Sequence, residues 1–449
     1  MRFDPDNGSK PTQTSVKTGT LAFPPQQNPQ REGFRFDGWT RDGQPFDLQT
    51  PILQDTTLKA QWSKTTDWTL SPDHGPASGA RLTISPPDRQ EPRFASIQTS
   101  GGQILGLTGE GRIYTWTQDS TPKQVPAPAQ APDGFHYLQV AAGSRSQAAI
   151  GSDQRIYTWD SGQTAPALLD TGKDAGFTSI SMNGERLSAV DRQGRVHAYQ
   201  ASNADSQALN PKFLEQAATS LPGKAQAVTA VASASQALIV DADGLAWTWD
   251  TSNLGKAKPE RVKQQPETRI IQAQALNQGF LLLDADGQAR YLPDGTAAMI
   301  QLSLPDGAQA SSTAADKNQA AITDADGHVW AWKPGKAPKR ADDGSQQYVQ
   351  AASTGGGIAA ISRQGGMLAW SMDAHGKPDR LDTTQASILE SASLDGQALP
   401  LSRSNDAWQA DMPARKPGQA AILITGRQDD KPFARSLAYT VDQPLARAA

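Results

Sequence analysis

The sequence predicts an all-β protein organised around a seven-bladed β-propeller, and two observations lead to this fold class. First, the phrase Asp-Gly-His-Val-Trp-Ala-Trp at residues 326–332 recurs in recognisable form, giving seven copies at steps of 43, 40, 50, 43, 40 and 38 residues. Seven copies at such a period indicate a repeat architecture. Second, apolar and aromatic residues alternate within the copies, which is the period of a β-strand rather than of a helix.

Each copy joins a tight turn to the strand that follows it. Asp-Gly or a near equivalent supplies the positive φ angle of a hairpin turn, and only the second copy has Gln154 in place of the glycine. Position +2 from the turn glycine is apolar in every copy, from Ile113 to Met367. Position +5, on the other face, is occupied by Trp116, Trp159, Tyr199, Trp249, Leu292, Trp332 and Trp370. A strand covered on both faces is typical of a propeller blade.

A proline marker completes the repeat and links it to a known family. In six units a proline follows the aromatic residue, as in Pro122 and Pro338, usually three residues before an apolar one. The pattern Gly-x-Val-Tyr-x-Trp followed by Pro-x-x-Val resembles the repeat of the regulator of chromosome condensation family. The resemblance implies a seven-bladed propeller of four-stranded blades over residues 91–384. The family's Gly-x-Asn-x-x-Gly-Gln-Leu-Gly loop is absent from every unit, so only the structural skeleton is shared.

Residues 1–64 carry a second pattern. Gly-Phe-x-Phe-x-Gly-Trp stands at 33–39, Phe-Asp at 46–47, and Asp-x-Thr-Leu-x-Ala-x-Trp at 55–62. In this combination the segments resemble the Listeria–Bacteroides repeat, the internalin B type repeat of bacterial surface proteins. The resemblance implies a small domain with a β-grasp-like fold. Its simplest interpretation is a spacer in a stalk, with no ligand of its own.

Residues 67–88 resemble the opening strand of a TIG-type immunoglobulin-like domain. Ser-Pro-x-x-Gly-Pro-x-x-Gly is found at 71–79, although Ala80 departs from the second glycine of the motif. Further strand-like segments resume only at residues 385–443. We therefore expect the propeller to be inserted into a loop of one immunoglobulin-like sandwich, because the two ends of a propeller lie close together. The alternative is a linker strand followed by a separate C-terminal sandwich.

Composition argues against several function classes and partners. The chain has 42 Lys and Arg against 46 Asp and Glu, a net charge of -4 and no dense basic cluster, so nucleic acid is not an expected partner. There is no cysteine, and no apolar run reaches the roughly 18 residues that a membrane span needs. We expect a monomeric protein of the cell wall, cell surface or extracellular space of a Gram-positive bacterium. Its export signal and anchor would lie outside this chain.

The sequence shows no catalytic, cofactor-binding or metal-binding constellation, so we expect a protein that is not an enzyme. The five histidines lack metal-ligand spacing, and His197 takes a repeat position that is mostly aromatic, so packing is its expected role. Asp-Ala-Asp-Gly at 241–244, 284–287 and 324–327 admits a calcium interpretation, but a calcium loop needs further carboxylates. We interpret these segments as Asx-type hairpin turns.

The modular order predicts a non-catalytic binding or adhesion module whose propeller is a head that binds a protein or a glycan. The loops at 134–137, 201–223 and 342–348 are candidates for carrying the ligand. The candidate binding residues are Phe135, His136, Tyr137 and Tyr348. Two alternatives come from other classes: an extracellular propeller enzyme that acts on glycans, and a propeller that inhibits or regulates another protein. A glycan screen with a parallel hydrolysis assay separates a binding module from an enzyme.

Overall fold

The computed structural model describes residues 1–88, 91–118, 120–161, 165–172, 176–202, 212–251, 257–265, 267–371, 378–381, 387–428 and 431–443. Within these residues the protein is all-β, and its one helical element is the short 3-10 turn Pro305–Gly307. No helix in this part of the chain is long and apolar enough to span a membrane. The chain forms two compact units. Unit 1 is Met1–Gln30, Phe36–Trp62 and Pro92–Thr383, and unit 2 is Arg31–Arg35, Ser63–Glu91 and Thr384–Ala449.

The chain begins with a five-stranded sheet, which we call the N-terminal sheet. Its strands are β1 (Arg2–Asp4), β2 (Thr12–Gln13), β3 (Phe34–Arg41), β4 (Gln44–Pro45) and β5 (Thr57–Lys64). They lie in the order β2-β1-β5-β3-β4, with β1 parallel to β5. Motif aromatics fill the core: the ring of Trp39 lies 5.1 Å from that of Phe3 and 5.4 Å from that of Phe36. Residues of this segment therefore build a small core of their own.

Seven four-stranded antiparallel sheets follow, after the short strands β6 (Thr69–Ser71), β7 (His74–Gly75) and β8 (Ala80–Ser85). We number the sheets in chain order: sheet 1 is β9 (Phe94–Ser100), β10 (Gln103–Thr108), β11 (Ile113–Thr117) and β12 (Lys123–Val125); sheet 2 is β13 (Tyr137–Ala142), β14 (Ser146–Gly151), β15 (Ile156–Asp160) and β16 (Ala167–Leu168); sheet 3 is β17 (Phe177–Asn183), β18 (Arg186–Asp191), β19 (Arg195–Ser202) and β20 (Lys212–Ser220). Sheet 4 is β21 (Ala227–Ala232), β22 (Gln236–Asp241), β23 (Ala246–Asp250) and β24 (Glu260–Arg261); sheet 5 is β25 (Ile270–Leu276), β26 (Gly279–Asp284), β27 (Ala289–Pro293) and β28 (Ile300–Leu302). Sheet 6 is β29 (Ala310–Asp316), β30 (Gln319–Asp324), β31 (Val329–Trp332) and β32 (Lys339–Arg340); sheet 7 is β33 (Tyr348–Ser353), β34 (Gly357–Ser362), β35 (Met367–Ser371) and β36 (Asp379–Arg380). Each sheet uses four strands that are consecutive in sequence, and each repeated turn connects its second strand to its third.

One backbone hydrogen bond recurs where consecutive sheets meet. The first residue of a sheet donates its N–H to the carbonyl of the turn residue in the preceding sheet, as Tyr348 does to Gly327 at 2.9 Å. The same bond joins Phe94 to Gly365 at 2.7 Å, so sheet 7 is tied to sheet 1. The first strands of consecutive sheets also contact one another, including those of sheets 7 and 1. Sheet 7 is therefore in contact with sheet 1, as each sheet is with the one that follows it.

In each of four repeated hairpins, a hydrogen bond joins two side chains across the turn. An Asp three residues before the turn glycine accepts a hydrogen bond from the residue three after it, in the pairs Asp191–His197 (3.0 Å), Asp241–Trp247 (2.9 Å), Asp284–Arg290 (2.8 Å) and Asp324–Trp330 (2.8 Å). The other carboxylate oxygen of Asp241 accepts from the N–H of Asp243 and Leu245, both at 2.9 Å. The ring of His197 packs against Phe177, and its Nδ1 lies 2.8 Å from Glu215. His197 is therefore a polar partner of the hairpin as well as a packing residue.

Unit 2 is built from strands that precede and follow the seven sheets in sequence. Its later strands are β37 (Ile388–Leu394), β38 (Gln397–Leu399), β39 (Ser402–Ser404), β40 (Ala407–Met412), β41 (Gly418–Gln428) and β42 (Lys431–Val441). One sheet has the order β38-β37-β41-β42-β7 and the other β39-β40-β8-β6. Ile84 of β8 pairs with Trp408 of β40, and both side chains lie in one core with Ile422 and Tyr439. Strands from both sides of the repeat region thus share one hydrophobic core.

Candidate functional site

The N-terminal sheet packs against the repeat sheets within unit 1. Leu21 is buried in an apolar cluster with Val228 and Ala242 of sheet 4, and Phe23 packs against the same cluster. This differs from the expectation of an independent spacer. Leu21 and Phe23 lie in the connection between β2 and β3, outside any strand, so strand periodicity could not identify them as an interface.

Glycines allow the two parts of unit 1 to approach at the level of the backbone. A Cβ atom on Gly109 of sheet 1 would lie against the Asp37 carbonyl oxygen and 2.6 Å from the Gly38 Cα. Gly38 has φ +131°, and a Cβ there would be 2.5 Å from the Gly109 Cα. Close by, the Asn28 side-chain amide donates to the Glu110 carbonyl at 2.8 Å. The contact therefore depends on the absence of side chains, and it fixes the N-terminal sheet over sheet 1.

A polar cleft of about 260 Å³ remains between the N-terminal sheet and sheets 5 to 7. We call it the junction cleft. One wall is the segment 41–50, which includes the β3–β4 turn and the loop after β4. The first strands of sheets 5, 6 and 7, together with the turn residue Arg363, form the opposite side, which we call the floor of the cleft. Among the residues lining the cleft are Arg41, Asp47, Gln49, Gln272, Ser312, Asp324, Tyr348, Gln350 and Arg363.

The floor of the junction cleft is built from one repeated strand position. Gln272, Ser312 and Gln350 are the third residues of β25, β29 and β33, each at a β-bulge. The Gln272 Oε1 accepts from the Thr313 N–H at 2.8 Å, and the Gln350 Oε1 accepts from the Ile97 N–H at 2.9 Å. These bonds cross from one sheet to the next and hold the amides in place. A pre-organised polar floor results.

Three of the residues that line the cleft each have a side-chain atom without a hydrogen-bond partner among the described residues. They are the Tyr348 Oη, the Gln49 Nε2 and the Arg363 Nε, all buried atoms. Tyr348 is only 2% exposed, and burial raises the pKa of its hydroxyl, so the group stays protonated at neutral pH. Buried polar atoms in native proteins are nearly always paired with protein, water or ligand. Gln49, Tyr348 and Arg363 thus each have unused hydrogen-bonding capacity, as do several buried groups elsewhere in the described chain.

Asp47 is a cleft residue whose carboxyl pKa is raised by burial. Burial raises its pKa to about 6, and the N–H of Gln49, which donates to its Oδ1 at 2.9 Å, opposes part of that effect. The Thr50 N–H also donates to the Asp47 carbonyl at 3.0 Å, so the loop after β4 has the form of an Asx turn. The carboxyl is therefore protonated in mildly acidic solution and ionised in neutral solution.

The four candidate binding residues predicted from the sequence are buried or half-buried against the sheets rather than exposed on loops. Tyr137 and Tyr348 are the first residues of β13 and β33, a position that is buried in all seven sheets, and they are 4% and 2% exposed. Phe135 is half-buried against the rings of Tyr137 and Tyr157, at 5.1 and 5.2 Å. Of the four, only Tyr348 lines the junction cleft. The other three form part of the packing of sheet 2 and its preceding loop.

His136 faces a separate, small cavity beside the N-terminal sheet. It is 7% exposed, and burial lowers the pKa of its imidazole. Its Nδ1 lies 3.1 Å from the Gly134 carbonyl and donates to it, while its Nε2 has no partner in the described part of the chain. The cavity of about 20 Å³ is also lined by Trp39 and Tyr137. A space of that size holds about one water molecule.

Sequence analysis missed Gln49, Gln272, Gln350 and Arg363. A signal for the cleft floor exists: the third residue of every first strand is polar, in the series Ser96, Gln139, Ser179, Thr229, Gln272, Ser312 and Gln350. Aligning the repeats on their first strand, rather than on the turn glycine, exposes this series. Gln49 and Arg363 have no such signal, because only folding brings the N-terminal sheet to sheet 7.

The loop at 201–223 lies partly outside the described residues, which omit 203–211. Its described end is β20, the outer strand of sheet 3. In the loop at 342–348, Asp342 accepts hydrogen bonds from Arg340 Nε at 2.7 Å and from the Val329 N–H at 2.8 Å. Nearby cations and N–H groups lower the pKa of Asp342 against the opposing effect of burial. Among the described residues, no group of three or more His, Cys, Asp or Glu side chains could hold a metal ion.

Comparison with known families identifies the N-terminal part of unit 1. Residues 1–61 match the Listeria-Bacteroides repeat domain family. This confirms the Listeria–Bacteroides repeat predicted for that region, and the matched range includes Phe46 and Asp47 of the junction cleft. No curated protein matches the chain in sequence.

Several solved structures match this chain at low sequence identity and with TM-scores below 0.5. Human WBSCR16 is 12% identical, with a TM-score of 0.45, over 66% of this chain and 89% of that one. Prp20p from Saccharomyces cerevisiae, described with its binding properties to Gsp1p and histones, is 13% identical with a TM-score of 0.41, over 72% and 83%. The complex of Kap60 with yeast RCC1 (Prp20) gives 13% identity and a TM-score of 0.43, over 91% and 96%.

Proposed function

We propose that this chain is a non-catalytic binding module of a bacterial cell-surface or secreted protein. In this proposal the seven repeat sheets form a closed seven-bladed propeller inserted into an immunoglobulin-like sandwich of the TIG type. The N-terminal sheet is an internalin B type repeat. Its match to a repeat family and the polar character of the chain support an extracellular or cell-wall location. The module acts as a monomer and does not bind nucleic acid.

The junction cleft is the observation that carries the proposal. It combines a polar floor held by hydrogen bonds between sheets with a lining of charged and polar residues. Arg41, Arg363, Asp47 and Asp324 place both signs of charge on the same cleft. A concave site with convergent polar groups is the usual form of a small-ligand site. The ligand classes are a glycan or a polar segment of a protein.

One observation favours the alternative of a glycan-acting enzyme. Asp47 has a pKa of about 6, which suits a general acid. Glycoside hydrolysis needs a second free carboxylate opposite the acid. Asp324 lines the same cleft, but its two oxygens accept from the Trp330 Nε1 and the His328 N–H, both at 2.8 Å. A structural role for Asp324 therefore fits binding better than catalysis.

A glycan array probed with the full chain, followed by a hydrolysis assay on each bound glycan, tests the proposal. We expect retention on a subset of glycans, with no release of reducing sugar. Release of reducing sugar that is lost in Asp47→Asn would establish the enzyme alternative instead. Capture of one defined protein without any glycan binding would support the third class, a regulator of another protein.

A further inference from the structure

We propose that unit 2 carries a self-modification site, at which the Thr440 hydroxyl and the Gln419 carboxamide condense into an ester cross-link. The two residues lie opposite each other near the open end of the β41–β42 hairpin, in the second pair from that end. The site is separate from the junction cleft. The inference therefore goes beyond the proposed binding function and does not depend on which ligand is bound.

The two reacting groups are already in contact. The Gln419 Nε2 donates to the Thr440 Oγ1 at 3.1 Å, and the same hydroxyl donates to the Gln419 Oε1 at 3.3 Å. An atom at these distances from both amide atoms lies at most about 3.6 Å from the carbon between them. Reacting atoms in near-attack conformers are about 3–3.5 Å apart. A turn about the broad terminal torsion of Gln419 presents the face of the amide to the hydroxyl.

A histidine and a carboxylate lie on the same face of the sheet. β7 runs parallel to β42, and His74 is directly opposite Thr440. Backbone hydrogen bonds donated by Thr440 at 2.9 Å and by Asp442 at 2.8 Å hold this register. Opposed residues of adjacent strands point to the same face, so Gln419, Thr440 and His74 stand in a row across β41, β42 and β7.

This pair has the chemistry of a general base and its orienting group. In the tautomer that carries its proton on Nδ1, His74 donates to the Asp442 Oδ2 at 3.2 Å. The Nε2 then keeps the lone pair that accepts a proton, as in hydrolases that pair His with Asp. The His74 and Asp442 side chains are 64% and 45% exposed, so the imidazole has room to move and a leaving group can reach solvent.

The reaction is an acyl transfer that balances without a further reactant. The Thr440 Oγ1 attacks the Gln419 Cδ while His74 takes the hydroxyl proton, and the new bond is a C–O ester bond. The Cδ–Nε2 bond breaks, His74 returns the proton to the leaving nitrogen, and ammonia departs. The released ammonia is protonated in neutral water and diffuses away, which opposes the reverse step. Placement of both groups in one hairpin supplies the effective concentration that a free alcohol lacks.

The position of the pair gives the cross-link a mechanical role. The turn holds one end of the hairpin, and the ester would hold the other, closing residues 419–440 into a covalent loop. A closed loop has less conformational freedom when unfolded, which stabilises the folded hairpin as a disulfide does. The same end of β42 also pairs with β7. A force on the chain beyond β42 would therefore meet a covalent bond before it could separate these strands.

The test is the intact mass of the full chain, measured after denaturation. We expect it to fall below the mass of the sequence by one ammonia, and digestion should yield two peptides joined through Gln419 and Thr440. Hydroxylamine cleaves esters but not ordinary amides, and it should release the pair. Thr440→Val keeps the β-branched shape and removes the nucleophile, so it should restore the full mass.

Thr425→Val is the matched control. Thr425 lies on the same face of β41, but its hydroxyl is 2.7 Å from the Ser391 hydroxyl rather than from an amide. This variant should retain the loss of ammonia. His74→Asn should slow the appearance of the cross-linked mass by roughly 10²–10⁴-fold, the usual contribution of a general base.

Two results in the wild-type chain would overturn the inference. The full sequence mass, in both fresh and aged protein, would show that Gln419 and Thr440 share only a hydrogen bond. Glutamate at position 419 without a cross-link would show that water is the effective nucleophile. Loss of ammonia that persists in Thr440→Val would place the reaction elsewhere, and equal rates in His74→Asn and wild type would overturn the role of His74 as base. None of these results bears on glycan or protein binding, which the array measures separately.

Discussion

Replacing Gly109 by alanine should separate the N-terminal sheet from sheet 1. The added Cβ would lie against the Asp37 carbonyl oxygen and 2.6 Å from the Gly38 Cα. Both neighbours are backbone atoms, so no side chain can rotate away. Gly109 does not have a positive φ, and the substitution therefore tests the close approach rather than backbone strain.

The magnitude follows from the two ways in which the structure can respond. If the N-terminal sheet stays in place, overpacking costs about 1–3 kcal/mol of unfolding free energy. If it moves, Leu21 and Phe23 lose contact with Val228 and Ala242, which forfeits about 1.5–3 kcal/mol for each large side chain that becomes exposed. Either response should lower the stability of unit 1 by at least about 1 kcal/mol.

Hydrogen exchange by mass spectrometry and urea denaturation measure these effects. Gly109→Ala should exchange faster in peptides covering residues 17–28 and 36–50, where the contacts lie. Gly356→Ala is the matched control, because its new Cβ would meet only the Gln118 Oε1 at 3.4 Å, an ordinary contact. If both variants show wild-type exchange and the same midpoint, the N-terminal sheet is not docked on sheet 1.

Three further predictions concern stability. Trp332→Ala should destabilise unit 1 by about 3–5 kcal/mol, because a 2%-exposed indole leaves a cavity in the shared core of sheets 5 and 6; an unchanged urea midpoint would contradict this. The pKa of Asp47 rises from 3.8 to about 6 on folding, so the folded state binds more protons between these values and stability should fall as pH rises from about 4 to 7. Asp47→Asn should flatten that part of the pH–stability curve, and an unaltered slope would show that Asp47 is solvated. Deleting residues 1–90 removes β8, the partner of β40, and should make residues 387–441 sensitive to limited proteolysis. Deleting only residues 1–62 keeps β8, and equal resistance of residues 387–441 in both deletions would refute the shared core of unit 2.

The repeat architecture could be predicted from sequence because its signals are local. A turn glycine and the residues two and five positions after it lie on one hairpin, so their spacing directly encodes the turn and both faces of the strand. The N-terminal repeat was predictable for the same reason, since residues 33–62 contain the motif and most of the core that it builds. Even the Asp–donor pairs, such as Asp241 with Trp247, are only six residues apart.

The candidate site could not be predicted in this way. Tyr348 was selected as a loop residue, whereas the strand begins at that residue and buries it. Of its neighbours in the cleft, Arg363 follows the next strand of the same sheet, whereas Gln49 comes from the distant N-terminal part of the chain. Nothing in the local pattern around residue 49 indicates a contact some three hundred residues away.

By itself, the sequence determined the all-β class, the repeated hairpins and the N-terminal repeat, since each depends on interactions between residues close together in the chain. Tertiary structure decided that the N-terminal sheet packs on the repeat sheets, that β8 pairs with β40, and that a polar cleft lies between the N-terminal sheet and sheets 5 to 7. These features depend on contacts between distant segments. A pair of glycines and a few apolar loop residues create the contacts of the N-terminal sheet, and neither has a periodicity that a single sequence displays.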